Sequence, residues 1–515
     1  MAFAAAIVLH AWVAGHTGLS GDEAHYLLYA RHLDWSYFDH PPLVGWVQAP
    51  LVALTTDASL LRVLPQLVWM LTGLLLWRLT MVVSASRPAA AWALILFSSS
   101  PVLQIHGLAM IPDTLLSLWA VAGALLAVRI SQGFMHGGES ASGRWVHWLG
   151  LGAVLGLAGL SKYSAVFLGA GLACFLILAW WRGRGLGRRW PWGPVAGAIL
   201  LAAVLVSPVF IWNAANDWIS FRYQGGHVSG GSWQLQNVFI FGLGQVVGFG
   251  VPAAMGLIVF LAGRGVRPPD MARPQAGLLL VSGLFLLVLG YLAGGGRSLP
   301  YWTSPGWVIA LVFAGVGLVA AAQWVRVVAT LLALGYGCLF AFLAVSLAAG
   351  SMAGSTQAAA AQAFDQRARV LPNPFADVHG WDRLGSELKR LTEQPGAPQV
   401  AAVGNWTLAS RVGWYAWPIP VWVQDSRFDQ FDIWWALANR SSPENSRSNE
   451  FGGEGFLFVE WSELQTRKHL NDHMRCGAPV KRLEISAPGG IHSQKSEGVL
   501  SVFEIYKCRG NLNLK

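Results

Sequence analysis

Asp22 and Glu23 stand side by side within three residues of an apolar run that ends at Leu19, and Asp113 opens another such run in Pro112-Asp113-Thr114. A carboxylate held beside hydrocarbon is suited to deprotonating or orienting a hydroxyl or phosphate acceptor. For Asp113 the competing reading is helix capping, because aspartate at a helix start accepts free backbone N–H groups. Two cations are as isolated as these acids. Lys162 interrupts an apolar hairpin in Gly159-Leu160-Ser161-Lys162-Tyr163, and Arg297 follows three glycines in Gly294-Gly295-Gly296-Arg297. A lone cation at a helix end often only snorkels to the interface. A charge kept close to lipid is nonetheless costly and marks ligand paths. Ammonium and guanidinium groups stabilise a departing phosphate, so an anionic lipid headgroup is the natural partner of Lys162 and Arg297. His40, Tyr163 and Tyr301 are assigned to the cavity around these groups. His25, His32 and His40 are seven and eight residues apart, a spacing that matches no metal motif. No metal site is assigned, and a divalent cation is the one cofactor left open.

Elements that cross a membrane must position these residues. The 515-residue chain is 54% hydrophobic and only 12% charged, with a mean hydropathy of +0.46. Soluble domains carry about twice that share of charge. Apolar segments at 1–19, 60–83, 88–105, 114–130, 146–160, 164–181, 193–212, 237–262, 276–293, 304–323 and 327–349 predict about eleven membrane helices. The first lacks a basic flank and reads as a helix rather than a cleaved signal. Eleven Arg residues fall in alternate loops and four Lys or Arg in the opposite ones, so the N-terminus is inside and the first loop, residues 20–59, is outside. By that topology Asp22, Glu23, Asp113, Lys162 and Arg297 share the outer side. The formal charge of +9 reports topology, not nucleic-acid binding.

From residue 351 the composition turns polar. Strands are predicted at 400–405, 420–425, 455–461, 480–486 and 499–506, with helices at Gln362–Arg369 and Trp381–Leu391. The expected architecture is therefore a polytopic α-helical membrane domain, 1–350, and a small extracytoplasmic α/β domain, 351–515. Cys174 and Cys338 lie in apolar segments. Cys476 and Cys508 lie in the tail, where an oxidising compartment would let them pair if the fold brings them together.

The string GDEAHYLLYARHLDWSYFDHPPLVGWV resembles the first periplasmic loop of bacterial GT-C glycosyltransferases of the dolichyl-phosphate-mannose–protein mannosyltransferase type. That superfamily includes the aminoarabinose transferases that modify lipid A. IPDTLLSLW, GLAGLSKYSAVFL and GRSLPYWTSPGW follow in the expected order, and GNWTLASRVGWYAWPIPVWVQDSRFDQFDIW is similar to the tail of bacterial members. The resemblance implies a bacterial inner-membrane enzyme with its active site facing the periplasm. It implies a polyprenyl-phosphate-sugar donor, commonly undecaprenyl phosphate, and a lipid or glycan acceptor such as lipid A. By motif match Asp22 is the first-loop acid, Glu23 its neighbour and Asp113 the second acidic position; Lys162 and Arg297 are donor-phosphate ligands. The competing functions are a protein O-mannosyltransferase, a lipid or sugar transporter, and a noncatalytic scaffold. The sugar itself stays open among aminoarabinose, galacturonate, mannose, galactosamine and others. Asp22→Asn is expected to abolish sugar transfer in an in vitro assay while leaving the folded yield unchanged.

Overall fold

The structure, a computed structural model, describes residues 1–136, 145–184, 189–228, 232–263, 277–296, 298–350, 377–425, 427–440, 455–461, 475–486 and 499–509. In hydrocarbon a backbone must satisfy its own polar groups, so the apolar runs fold as helices. Six are long and apolar enough to cross a membrane: Ala58–Ser84, Pro112–Phe134, Ala165–Gly183, Trp192–Ala215, Pro300–Ala320 and Gln323–Ala349. Leu235–Phe249 and Val251–Leu261 together make a seventh if a bend of 102° is counted within one span. The other predicted segments are helical among the described residues but shorter. Ala2–Ala14 and Arg87–Ser99 have 13 residues each, Leu279–Ala293 has 15 and Trp145–Ser161 has 17. The run predicted at 88–105 breaks at Ser100, whose extended backbone and side chain cap a second short helix, Pro101–Ile105. The run at 237–262 breaks at Gly250, with φ +101°, a conformation that favours glycine.

Chain contacts divide the described residues into two compact units. The first holds residues 1–11, 33–48 and 62–341. Its central element is Ser304–Ala320, within the apolar segment that is 89% buried over its spanning window. Small residues let its neighbours approach at backbone distance, the usual basis of helix packing in lipid. A Cβ on Gly315 would meet the Ala89 carbonyl at 2.4 Å, and one on Gly317 the Gly256 carbonyl at 1.9 Å. Trp192–Ala215 is the opposite case, 17% buried, with an apolar surface suited to lipid contact.

The second unit holds residues 12–32, 49–61 and 342–515. All five predicted strands form: β1 (Ala401–Val403), β2 (Val421–Val423), β3 (Phe456–Trp461), β4 (Arg475–Ser486) and β5 (Val499–Arg509). The sheet order is β2-β1-β3-β5-β4. β1 is parallel to β2 and β3, and β5 runs antiparallel between β3 and β4. Helix Trp406–Tyr415 is the crossover from β1 to β2. Helix Trp381–Thr392 forms as predicted, whereas Gln362–Arg369 lies outside the described residues. Cys476 and Cys508 face each other across β4 and β5 and are joined in a disulfide. Leu19, Ala24, Leu27 and Leu28 share one core with Leu408, Val412 and Trp414, so the segment carrying Asp22 folds as part of this unit.

Candidate functional site

Asp113 and Lys162 come together in the first unit. Pro112 starts the helix Pro112–His136 and places Asp113 in its first turn. Lys162 follows directly on Trp145–Ser161, in the tight link to Ala165–Gly183, its N–H still donating to the Ala158 carbonyl. The Lys162 ammonium donates to Asp113 Oδ2 at 2.6 Å, with side chains 9% and 2% exposed. The second oxygen, Asp113 Oδ1, is buried without a hydrogen-bond partner among the described residues. Lys162 Nζ also lies 5.9 Å from the ring centre of Tyr301 and 5.3 Å from that of Trp302, within reach of a cation–π attraction. Tyr301 and Trp302 belong to the 3-10 turn Pro300–Thr303. That turn is tied down by Gln245, which donates to the Pro300 carbonyl and accepts from Thr303 Oγ1 at 2.5 Å and Trp307 Nε1 at 2.9 Å.

His106 completes this group. It is buried and shares a 3.4 Å hydrogen bond with Ser304. Burial, and then the charge of Lys162, push its imidazole down to about 3, so it is uncharged at neutral pH and leaves Lys162 as the cation.

Lys162 and Tyr163 also line a cavity of about 800 Å³. Its other walls include Leu155, Leu172, Ala202, Val206 and Phe210, from three apolar helices. An apolar groove of this size with a few convergent polar groups is the ordinary form of a small-molecule site. The Tyr163 hydroxyl is buried beside Ser220, Ser36 and Asn213, and burial pushes its phenol up. His40, assigned to the cavity from the sequence, belongs to the first unit but does not line this groove; its carbonyl accepts from the Tyr37 N–H at 3.2 Å. Arg297 lies outside the described residues.

Asp22 and Glu23 belong to the second unit and differ in kind. Ser20 and Glu23 form a capping box at the start of helix Gly21–Arg31: Glu23 Oε2 accepts from the Ser20 N–H at 3.0 Å and from its hydroxyl at 2.9 Å. Glu23 is thus engaged in capping the helix start, while Asp22 is outside the box and half-exposed. His25 is ringed by Tyr26, Tyr29 and Trp406 and meets Ser410 Oγ at 3.2 Å. His32 stacks on Trp434 at 4.7 Å; burial, and then Arg31, push it down to about 4.

Sequence reasoning missed the Asp113–Lys162 pairing, and with it His106 and Trp302. The signal was available: one acid and one cation, each alone beside apolar runs, satisfy each other more cheaply than either stays buried by itself. His106 stands between two apolar runs with no charged neighbour and offered no such cue.

Comparison with known proteins bears on the fold. Residues 39–212 match the family model described as dolichyl-phosphate-mannose-protein mannosyltransferase. The lipid A galacturonosyltransferase RgtD of Rhizobium johnstonii is 27% identical over 206 residues. That match spans 39% of this chain and 40% of the relative. Among solved structures, ArnT from Cupriavidus metallidurans bound to undecaprenyl phosphate aligns with a TM-score of 0.62 at 15% identity, covering 98% of this chain and 96% of that one. The oligosaccharyltransferase AglB from Archaeoglobus fulgidus, in complex with an inhibitory peptide and a dolichol-phosphate, aligns at 0.51 and 12%, covering 91% and 70%. The chain is a multi-pass membrane protein with this GT-C fold, and the resemblance read from its first loop holds.

The buried pair makes a testable demand. Removing one partner leaves an uncompensated charge and costs about 3–5 kcal/mol, whereas replacing both by apolar groups is often neutral. Asp113→Leu and Lys162→Met are each expected to lower the thermal midpoint in detergent, and the double variant to recover it. Transfer activity is expected to stay lost in all three.

Proposed function

We propose that the protein is an integral-membrane glycosyltransferase that moves a sugar from a polyprenyl phosphate, undecaprenyl phosphate in bacteria, to lipid A or a related envelope glycan. The observation that carries this reading is the placement of Lys162, whose ammonium is held by Asp113 and which also lines an apolar groove of about 800 Å³. A site with one cation and long apolar walls suits a lipid with an anionic head. Among the described residues two of the three ammonium hydrogens remain beyond the one given to Asp113, enough to hold a phosphate oxygen.

In this mechanism an acceptor oxygen attacks the anomeric carbon of the donor sugar. The bond from that carbon to the lipid phosphate breaks, and its electron pair stays on the phosphate oxygen. Lys162 stabilises that developing charge, with Arg297 assigned the same role. Asp113 orients Lys162. Asp22 orients the acceptor and takes its proton. Tyr301 and Trp302 limit hydration of the ammonium and so strengthen its hold on the leaving group. Tyr163 and His40 are the remaining cavity residues of the proposal. The membrane domain 1–350, with eleven crossings, and the domain 351–515 would place this chemistry on the periplasmic side of the inner membrane. The Cys476–Cys508 disulfide supports an oxidising location for the second unit. Similarity to a lipid A galacturonosyltransferase favours a uronic sugar and lipid A over a protein acceptor.

Purified protein given a long-chain polyprenyl-phosphate sugar and lipid A is expected to release the polyprenyl phosphate and yield glycosylated lipid A by mass spectrometry. Ala202→Trp, which fills the groove, should raise KM for that donor about tenfold or more, roughly 1.4 kcal/mol, and leave a short-prenyl donor unaffected. Movement of the lipid across a vesicle membrane without sugar release would instead identify a transporter.

A further inference from the structure

An acid that takes an acceptor's proton must be held at one place, and the backbone just ahead of Asp22 is fastened within the second unit. In helix Gly21–Arg31 every residue from Glu23 to Ala30 is buried, while Asp22 is half-exposed. The Ser20–Glu23 box already caps the helix. Ahead of the box the backbone is fastened twice: the Gly18 N–H donates to the Val378 carbonyl and the Leu19 N–H to the Tyr415 hydroxyl, both at 2.8 Å. At Gly21 the approach is closer still. A Cβ there would lie 2.6 Å from Thr407 Cγ2 and 3.4 Å from Arg411 Nη2.

Arg411 is unusual. It is 1% exposed, ion-paired with Asp377 and stacked 4.7 Å from the Trp381 ring centre. Its Nε and Nη1 have no hydrogen-bond partner among the described residues. Unused buried donors weaken a fold, and here the guanidinium is buried while its partner Asp377 is half-exposed, so the pair does little for stability. Fixing the register of a neighbouring element is the best-attested use of such a group, and the neighbour here is the residue before Asp22.

We infer that Tyr415 and Arg411 are positioning residues. They pin Leu19 and Gly21 against helix Trp406–Tyr415 and so set where the Asp22 carboxylate stands. The inference rests on the reading of Asp22 as the acceptor's base. It gives the crossover helix of this unit's sheet the part of seating the acid.

The test compares Tyr415→Phe and Arg411→Lys with Phe458→Leu, which weakens the separate core around Val400 and Trp422. All three are made in the full-length protein, and each thermal midpoint is measured. Tyr415→Phe is expected to lower kcat about tenfold or more, as misplacement of a reacting group does, with KM for the lipid donor unchanged. Arg411→Lys should do the same, because the shorter, unforked cation cannot both pair with Asp377 and fill the space beside Gly21. Phe458→Leu should keep the wild-type kcat at an equal loss of midpoint. Carbodiimide labelling of Asp22, read by peptide mass spectrometry, gives a readout independent of turnover. Its rate should change about threefold or more in Tyr415→Phe, the scale of one lost hydrogen bond, and not in Phe458→Leu. Wild-type kcat and labelling in both Tyr415→Phe and Arg411→Lys would overturn the inference, as would an equal loss of kcat in Phe458→Leu. If the wild-type protein transfers no sugar, the proposed function falls, and the labelling still decides whether these residues position Asp22.

Discussion

Placing a charge among apolar helices is among the most expensive things a chain can do, and an opposite charge in hydrogen-bond contact is what makes it tolerable. Asp113 and Lys162 meet that requirement at 2.6 Å. Much of the first unit's local geometry follows from it. Pro112 must start its helix where it does so that the acid sits in the first turn. The link between Trp145–Ser161 and Ala165–Gly183 must be short enough to present Lys162 to that turn. Gln245 must hold the 3-10 turn of Pro300–Thr303 so that the Tyr301 and Trp302 rings stand 5.9 and 5.3 Å from the ammonium. Among the described residues the pair leaves Lys162 only partly engaged, and a partly engaged cation lining an apolar groove is what a lipid phosphate would find complementary.

The second unit solves a different problem, namely how to keep an acid half-exposed on a helix that is otherwise mostly buried. Two adjacent carboxylates divide the work. Glu23 turns back to close the capping box, which removes the need for Asp22 to cap. The helix then packs its apolar residues into the core of the sheet, with Leu27 and Leu28 beside Leu408 and Val412. Arg31 reinforces the far end, donating to the Trp414 carbonyl at 3.2 Å and lying 3.8 Å from the Trp414 ring centre.

Much of this was legible in the sequence because the constraints are local. Helices followed from apolar runs, and all five strands of the sheet followed from short β-rich segments between turns. Helix breaks were harder. The 237–262 run reads as one span, although Gly250-Val251-Pro252 carries the flexible and rigid residues that a bend of 102° needs. Ser100-Pro101 likewise ends one helix and begins another. Glu23 was read with Asp22 as an acidic pair, although Ser20-x-x-Glu23 is a capping-box pattern. The Asp113–Lys162 pair, 49 residues apart, and the Cys476–Cys508 disulfide, 32 apart, depend on which elements pack together, and no local pattern encodes that. The seat of Asp22 was hidden for the same reason: Arg411 looks like the polar side of a short amphipathic helix until the fold brings Gly21 against it.

The central claim is that Lys162, held by Asp113, binds the phosphate of a polyprenyl lipid. Native mass spectrometry of the detergent-solubilised protein titrated with undecaprenyl phosphate, alongside undecaprenol as the uncharged control, tests it most directly. The account predicts one bound undecaprenyl phosphate on the wild-type protein, far weaker retention of undecaprenol, and loss of that preference in the Asp113→Leu/Lys162→Met double variant. Equal retention of the phosphate by the wild-type protein and the double variant would contradict it.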